Sequence, residues 1–187
     1  MPATVHILTT GYADDRVAST VTLLRDGNTF VVVDPGMVAD RGLILQPLQA
    51  AGVSPEQVTD VVFSHHHPDH TLNAALFPAA RYHDHMAIYK DDIWEDRDAD
   101  QYRISEHIHL LRTPGHTSED ISTVAGTAEG LVVLTHLWWH AEGPADDPFA
   151  TDRGLLADSR RAILDLKPAL IIPGHGAPFT PTTHIPI

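Results

Sequence analysis

Seven residues of this 187-residue chain have the side-chain types and the setting of metal ligands. Directly after the apolar run Val58 to Ser64 the sequence reads His65-His66-His67-Pro68-Asp69-His70. Three more histidines follow apolar stretches or sit in tight turns. They are His116 in Thr113-Pro114-Gly115-His116-Thr117, His136 after Leu131 to Thr135, and His175 in Pro173-Gly174-His175-Gly176. Imidazole is the commonest neutral ligand of divalent first-row metals, and a carboxylate compensates their charge. His65, His67 and Asp69 share one parity and His70 the other. A tight loop can therefore aim two imidazoles at one ion and a carboxylate with an imidazole at a neighbour. Proline and glycine beside His116 and His175 fix the backbone there. A single histidine after a strand is ordinarily a polar residue closing a sheet end. Six of them with one aspartate, all at strand exits, point to a preformed metal site. His66 reads as the spacer of the run. His6, His83, His85, His107, His109 and His184 have no comparable setting, and His140 stays open.

The elements that must position these residues alternate along the chain. Thr4 to Thr9, Ser19 to Leu24 and Thr29 to Asp34 read as strands, with Asp26-Gly27-Asn28 as a turn signal. Gly42 to Ala51 has apolar residues at helical spacing and is closed by Gly52. Val58 to Ser64 is a β-branched strand that runs into His65. A short helix over Leu72 to Leu76 and a strand over Arg81 to His83 follow. Asp84 to Asp100, rich in aspartate and holding Tyr89 and Trp94, reads as a helix plus an acidic surface loop. Strands are expected at His107 to Leu111, Ile121 to Ala125, Leu131 to Thr135 and Ala169 to Ile172. Leu137 to Phe149 reads as irregular and Leu155 to Leu166 as a helix. No repeat or linker interrupts the pattern, so residues 1–187 read as one layered α/β domain.

Composition narrows the function. The chain is 43% hydrophobic and 20% charged, which excludes a disordered or collagen-like chain. No stretch approaches the roughly 18 apolar residues of a membrane span. The N-terminal residues show neither a basic nor an apolar leader region, so a cytoplasmic location is expected. With no cysteine, thiolate zinc sites and cysteine nucleophiles are excluded. The formal charge is −13, and Lys90 and Lys167 are the only lysines. Such a field repels phosphates, which makes nucleic acid a poor candidate partner.

At this point the sequence resembles the metallo-β-lactamase-fold superfamily. Its His-x-His-x-Asp-His signature stands here as His65 to His70. The Pro-Gly-His turns at His116 and His175 and the early Asp34-Pro35-Gly36 turn match in order and spacing along nearly the whole chain. The short length and the stretches around His116, Val124 to Thr127 and Ile172 to Phe179 are most similar to the small branch of animal metallo-β-lactamase-domain-containing proteins. The resemblance implies a four-layer αββα sandwich and two divalent metals, usually zinc, with iron or manganese as alternatives. By it, His65, His67 and His116 hold the first metal, Asp69, His70 and His175 hold the second, and a bridging hydroxide is the nucleophile. The family commonly places a metal-bridging aspartate where this chain has His136. A neutral imidazole offers one lone pair and cannot bridge two ions. His136 is therefore expected as a terminal ligand of one metal, the alternative being a displaced histidine beside a weaker or mononuclear site. The centre carries one carboxylate charge instead of two, which makes a bound water more acidic and the second metal less firmly held.

The metal sets the reaction class. A pair of divalent ions lowers the pKa of a bound water from about 15.7 towards about 7 and polarises a C=O or P=O oxygen. Asp69 orients the nucleophile and shuttles its proton. The expected activity is hydrolysis of an ester, thioester, lactone or amide carbonyl in a small organic substrate. Trp138, Trp139 and His140 follow His136 closely and are expected as the wall of a substrate pocket, or as an apolar interface between two copies. Nothing in these 187 residues reads as an inserted nuclease domain or as the glutathione-binding helical region of glyoxalase-type thioesterases, so neither activity is expected. A small phosphodiesterase remains the runner-up, with a mononuclear iron dioxygenase and a non-catalytic metal-binding protein behind it.

Overall fold

The structure is a computed structural model that describes residues 1–187. In chain order it contains β1 (Thr4–Thr9), β2 (Tyr12–Ala13), β3 (Val17–Ala18), β4 (Val21–Asp26), β5 (Thr29–Val33), α1 (Gly42–Ala50) and β6 (Asp60–Val62). It continues with α2 (Pro68–Thr71), β7 (Arg81–His83), β8 (Ala87–Lys90), β9 (Ile93–Asp96), β10 (Ile108–Arg112), β11 (Ile121–Thr127), β12 (Gly130–Thr135), α3 (Arg153–Asp165) and β13 (Leu170–Pro173). One sheet has the order β1-β4-β5-β6-β7-β8-β9 and the other β10-β11-β12-β13. The short β2–β3 hairpin stands apart from both.

Alternation along the strands explains the layers. On β4, β5 and β6, Leu24, Val31, Val33 and Val62 face inward and meet Ile108, Leu110, Ile121, Val132, Leu134 and Ile172 of the second sheet. Their neighbours Leu23, Val32 and Val61 point to the other face, where Ile44 and Leu48 of α1 cover them. On the far side, Val124, Val133 and Ile171 are covered by Leu156 and Ile163 of α3. Period-2 strands with two apolar faces therefore require a helix outside each sheet, and the result is the four-layer αββα sandwich. Asp152 caps α3 by accepting from Leu155 N at 2.9 Å. Arg160, 1% exposed on the same helix, donates to the carbonyl oxygens of Leu137, Pro144 and Ala145 at 2.8, 2.8 and 3.2 Å. One buried guanidinium thus anchors the long loop that leaves β12.

β5 and β6 are parallel, as are β12 and β13, and β10 runs with β12. Their C-terminal ends share one end of the sandwich, the place where α/β sheets present ligands. The two sheets are stitched there. Ile121 N donates to Ser64 O at 2.8 Å and Thr20 N to Gly174 O at 2.7 Å, while Ser19 N to Asp69 O at 3.2 Å ties two loops of the first sheet.

Two local expectations are corrected. The helix read into the acidic segment 84–100 is instead the β8–β9 hairpin. Its aromatic residues decide this. Tyr82 is the register partner of Tyr89, and Tyr89 of Trp94. The rings stack at 5.7 and 5.2 Å, and cross-strand aromatic pairs are a strong sheet-forming unit. The short helix expected over 72–76 begins earlier, at Pro68, whose fixed φ suits the first helical position. A 3-10 turn covers Ala74–Leu76.

At the base of β6, the carboxylate of Asp60, 0% exposed, accepts from His83 Nε2 at 2.8 Å, Arg81 Nε at 3.0 Å and Thr59 Oγ1 at 2.7 Å. Burial alone would raise its pKa, but the bonds from His83 and Thr59 outweigh it and hold the carboxyl below the usual range. A depressed carboxyl stabilises the fold above its unfolded pKa, and that contribution is lost as pH falls through the folded value. Asp60→Ala is expected to cost about 3 kcal/mol in urea unfolding at neutral pH, and the deficit is expected to shrink below about pH 4. A pH-independent deficit would contradict this account.

Candidate metal centre

The seven residues picked out from the sequence converge at the shared end of the sheets. His65, His67, Asp69 and His70 leave β6, His116 follows β10, His136 follows β12, and His175 follows β13. His65 Nε2 lies 2.9 Å from His67 Nδ1, which lies 3.2 Å from His116 Nε2. On the other side, Asp69 Oδ2 lies 3.3 Å from His70 Nε2 and 3.6 Å from His175 Nε2. His136 Nε2 is 3.1 Å from His175 Nε2. His65, His70, His116, His136 and His175 are all buried.

In four of these rings the other nitrogen is already engaged. His70 Nδ1 donates to Asp34 Oδ2 at 2.8 Å, His116 Nδ1 to Asp147 Oδ2 at 2.7 Å, and His175 Nδ1 to Ala18 O at 3.0 Å. His65 Nδ1 meets Ser64 Oγ at 3.0 Å. The carboxylate and carbonyl acceptors fix a proton on Nδ1 of His70, His116 and His175 and turn their Nε2 inward, the arrangement that orients histidine ligands in metal sites. His70 Nε2 and His136 Nδ1 are buried without a hydrogen-bond partner. Inward lone pairs at about 3 Å, together with orphaned buried nitrogens, repel one another unless a cation lies among them. The donor set therefore fits divalent metal ions.

His136 occupies the centre of this cage. Its ring centroid is 4.6, 4.8, 4.2 and 5.0 Å from those of His65, His70, His116 and His175. It belongs to both close donor triads, His65–His116–His136 and His70–His136–His175. Gly174 makes room for it, since a Cβ there would stand 2.4 Å from His136 Cδ2.

Electrostatics divide the set. Burial, reinforced by neighbouring imidazoles, holds His65 and His136 well below the ordinary histidine pKa and His175 down to about 4. These rings stay neutral and keep their lone pairs. Burial also opposes charge on His70, but Asp34 and Asp69 outweigh it and raise its pKa to about 9 in the metal-free chain. Burial would raise the Asp69 carboxyl, yet His70 and His175 bring it down to about 2, so it is a carboxylate at neutral pH.

A cavity of about 430 Å³ opens on the cage, lined by His67, Asp69, His116, His136 and His175. Trp139 also lines it and stacks on Phe149 with centroids 5.8 Å apart at 12°. Ala13, Asp14 and Val17 of the β2–β3 hairpin form the opposite wall, and no lysine or arginine is among the lining residues. Two expectations for the pocket need correction. Trp138 is 0% exposed, packs beneath α3, and donates from Nε1 to Pro186 O at 2.8 Å. Consecutive residues here face opposite ways, so only Trp139 reaches the cavity. His140 turns to Glu142 Oε2 at 3.1 Å and does not line it.

Asp147 was not singled out in the sequence. Its Oδ2 accepts from both His116 Nδ1 and Trp139 Nε1, at 2.7 and 3.3 Å, and its Oδ1 from Phe149 N at 2.9 Å. One carboxylate thus sets a cage histidine and the aromatic wall together. Asp34, noticed only as part of a turn, likewise binds His70 and accepts from Ser64 N at 2.7 Å.

Comparison with known proteins agrees with this geometry. The family model described as the metallo-beta-lactamase superfamily matches residues 14–175. "Metallo-beta-lactamase domain-containing protein 1" of Xenopus laevis is 36% identical over 98% of this chain and 84% of its own length. The human protein of the same name is 34% identical over 80% of this chain, which spans 59% of it. Among solved structures, a Thermotoga maritima metallo-beta-lactamase-type protein superposes with a TM-score of 0.75 at 21% identity, covering 97% of this chain and 100% of that one. AidC, a dizinc quorum-quenching lactonase, gives 0.64 at 19% identity over 84% of this chain and 72% of its own.

Loss of a partner that orients a metal-binding histidine typically costs about 10–100-fold in metal affinity. Asp147→Ala is expected to weaken divalent-metal binding by that order in chelator competition and to alter Trp139 fluorescence in the same variant. Unchanged affinity would show that His116 needs no external orientation.

Proposed function

This chain belongs to the metallo-beta-lactamase superfamily, and we propose that it is a dinuclear zinc hydrolase acting on the carbonyl of a small, uncharged organic substrate with an apolar portion. The observation that carries this reading is the meeting of the two donor groups with an aromatic, cation-free cavity. His65, His67 and His116 would hold one ion, and Asp69, His70 and His175 the other. His136 would complete one of the two sets as a terminal ligand. When bound, the ions supply an acidified water and a positive field for a developing oxyanion.

The chain's own groups do the rest. Trp139 and Phe149 offer a flat apolar face for the substrate body, and Val17 closes it from the opposite wall. Both strip water from the reacting group. Asp69, ionised and facing the cavity, takes a proton on its carboxylate and returns it to the leaving group. Asp14 and Asp69 are the lining carboxylates, and the wall has no guanidinium or ammonium for an anionic substituent. A neutral ester or lactone meets no penalty there, whereas a phosphodiester would rely on the metals alone. The lactonase among the fold neighbours is consistent with a lactone.

Tag-free, zinc-loaded protein assayed on acyl lactones, aryl esters and bis-nitrophenyl phosphate tests this. The carbonyl substrates are expected to exceed the diester in kcat/KM by at least about tenfold, a difference of about 1.4 kcal/mol in barrier. Preference for the diester would replace the reading with a phosphodiesterase, and no turnover at all would favour a binding role. Trp139→Ala is expected to raise KM for long-chain lactones more than for short ones, with metal content unchanged. Equal effects on both would remove Trp139 from substrate recognition.

A further inference from the structure

The spacer of the histidine run has partners of its own. His66 points away from the central cage, and its Nε2 lies 3.3 Å from Asp84 Oδ2. His85 follows Asp84 in the turn between β7 and β8. One ligating atom from each of His66, Asp84 and His85 lies within 4.8 Å of the other two. We propose that these three residues form a second, peripheral binding site for a borderline divalent cation such as zinc or nickel.

Four observations support the site. The donor set of two imidazoles and one carboxylate is the type that zinc and nickel select. His85 Nδ1 is buried without a hydrogen-bond partner, so a nitrogen lone pair or proton there is unsatisfied in the protein alone. Asp84 is 3% exposed and fixed: its Oδ1 accepts from Met86 N and Ala87 N, both at 2.8 Å, which leaves Oδ2 to face the histidines. His66 is the exposed member, its side chain 43% exposed, and gives a cation access from solvent. Arg97, close by, directs its guanidinium to the carbonyl oxygens of Asp84 and Ala87 and to His83 Nδ1, and makes no hydrogen bond to the Asp84 carboxylate.

The position gives the site a consequence. His66 is joined by peptide bonds to His65 and His67, both members of the central cage. A cation held by His66, Asp84 and His85 would clamp the ligand-bearing loop to the β7–β8 turn of the same sheet. The central donor set is complete without it, so the peripheral site is separable from the hydrolase reading.

The test titrates zinc alone into full-length, tag-free protein whose central site is already loaded, following imidazole nitrogens by NMR. The expected result is one further equivalent that shifts the rings of His66 and His85 together. Binding of that equivalent should weaken by about tenfold or more in His85→Gln and in Asp84→Asn, since even an outer-shell loss costs about that much. Asp84→Asn keeps the Oδ1 acceptor for Met86 and Ala87 and alters only the ligating oxygen. Central zinc content and melting temperature are expected to hold in both variants. Unperturbed His66 and His85 rings in the wild-type protein, or equal affinity in the variants, would overturn the proposal.

Discussion

The architecture depends on one electrostatic constraint. Five buried imidazoles are crowded against His67 and Asp69 on the cavity wall, with ring nitrogens facing one another at about 3 Å. Such a cluster is repulsive by itself, and four of its six rings are held from behind. The supports are Asp34 behind His70, Asp147 behind His116, the Ala18 carbonyl behind His175 and Ser64 behind His65. They come from the end of β5, the loop after β12, strand β3 and the end of β6, so the cage draws on both sheets at once.

That distribution explains features of the fold with no direct chemical role. The cross-sheet bonds from Ile121 to Ser64 and from Thr20 to Gly174 set the separation of the strand ends. Arg160 holds the loop from 137 to 149 through three carbonyls, and this loop delivers both Asp147 and Trp139. Core packing under α3, orientation of His116 and placement of the aromatic wall are therefore one mechanical unit. Glycine matters at Gly174, where a side chain would collide with His136.

Much of this was legible in the sequence because strand exits carry a strong signal. An apolar β-branched run that ends in histidine places its side chain at a sheet end whatever the tertiary details, and such runs pointed to a layered α/β domain and to the seven inward-facing residues, while the four-layer sandwich came from the family resemblance. The failures share a cause. Asp147 lies in an irregular loop, with no periodic neighbour to say where it points. Trp138 and Trp139 are adjacent, and only packing against α3 decides which one is buried. The acidic segment 84–100 looked like a solvated helix because its charges hid the cross-strand pairing of Tyr82, Tyr89 and Trp94. His85 had no visible setting because His66, 19 residues away in sequence, meets it and Asp84 only once β6 and β7 are paired.

His136 is the residue on which the account turns, since it brings an imidazole to the centre of the cage and belongs to both donor triads. The most direct measurement is metal content by elemental analysis on protein purified without a histidine tag and dialysed against excess zinc, then freed of weakly held metal by brief chelator treatment. The account predicts about two tightly held zinc ions per chain, with one of them lost in His136→Ala. A single ion per chain, or two that survive His136→Ala undiminished, would contradict a dinuclear centre completed by His136.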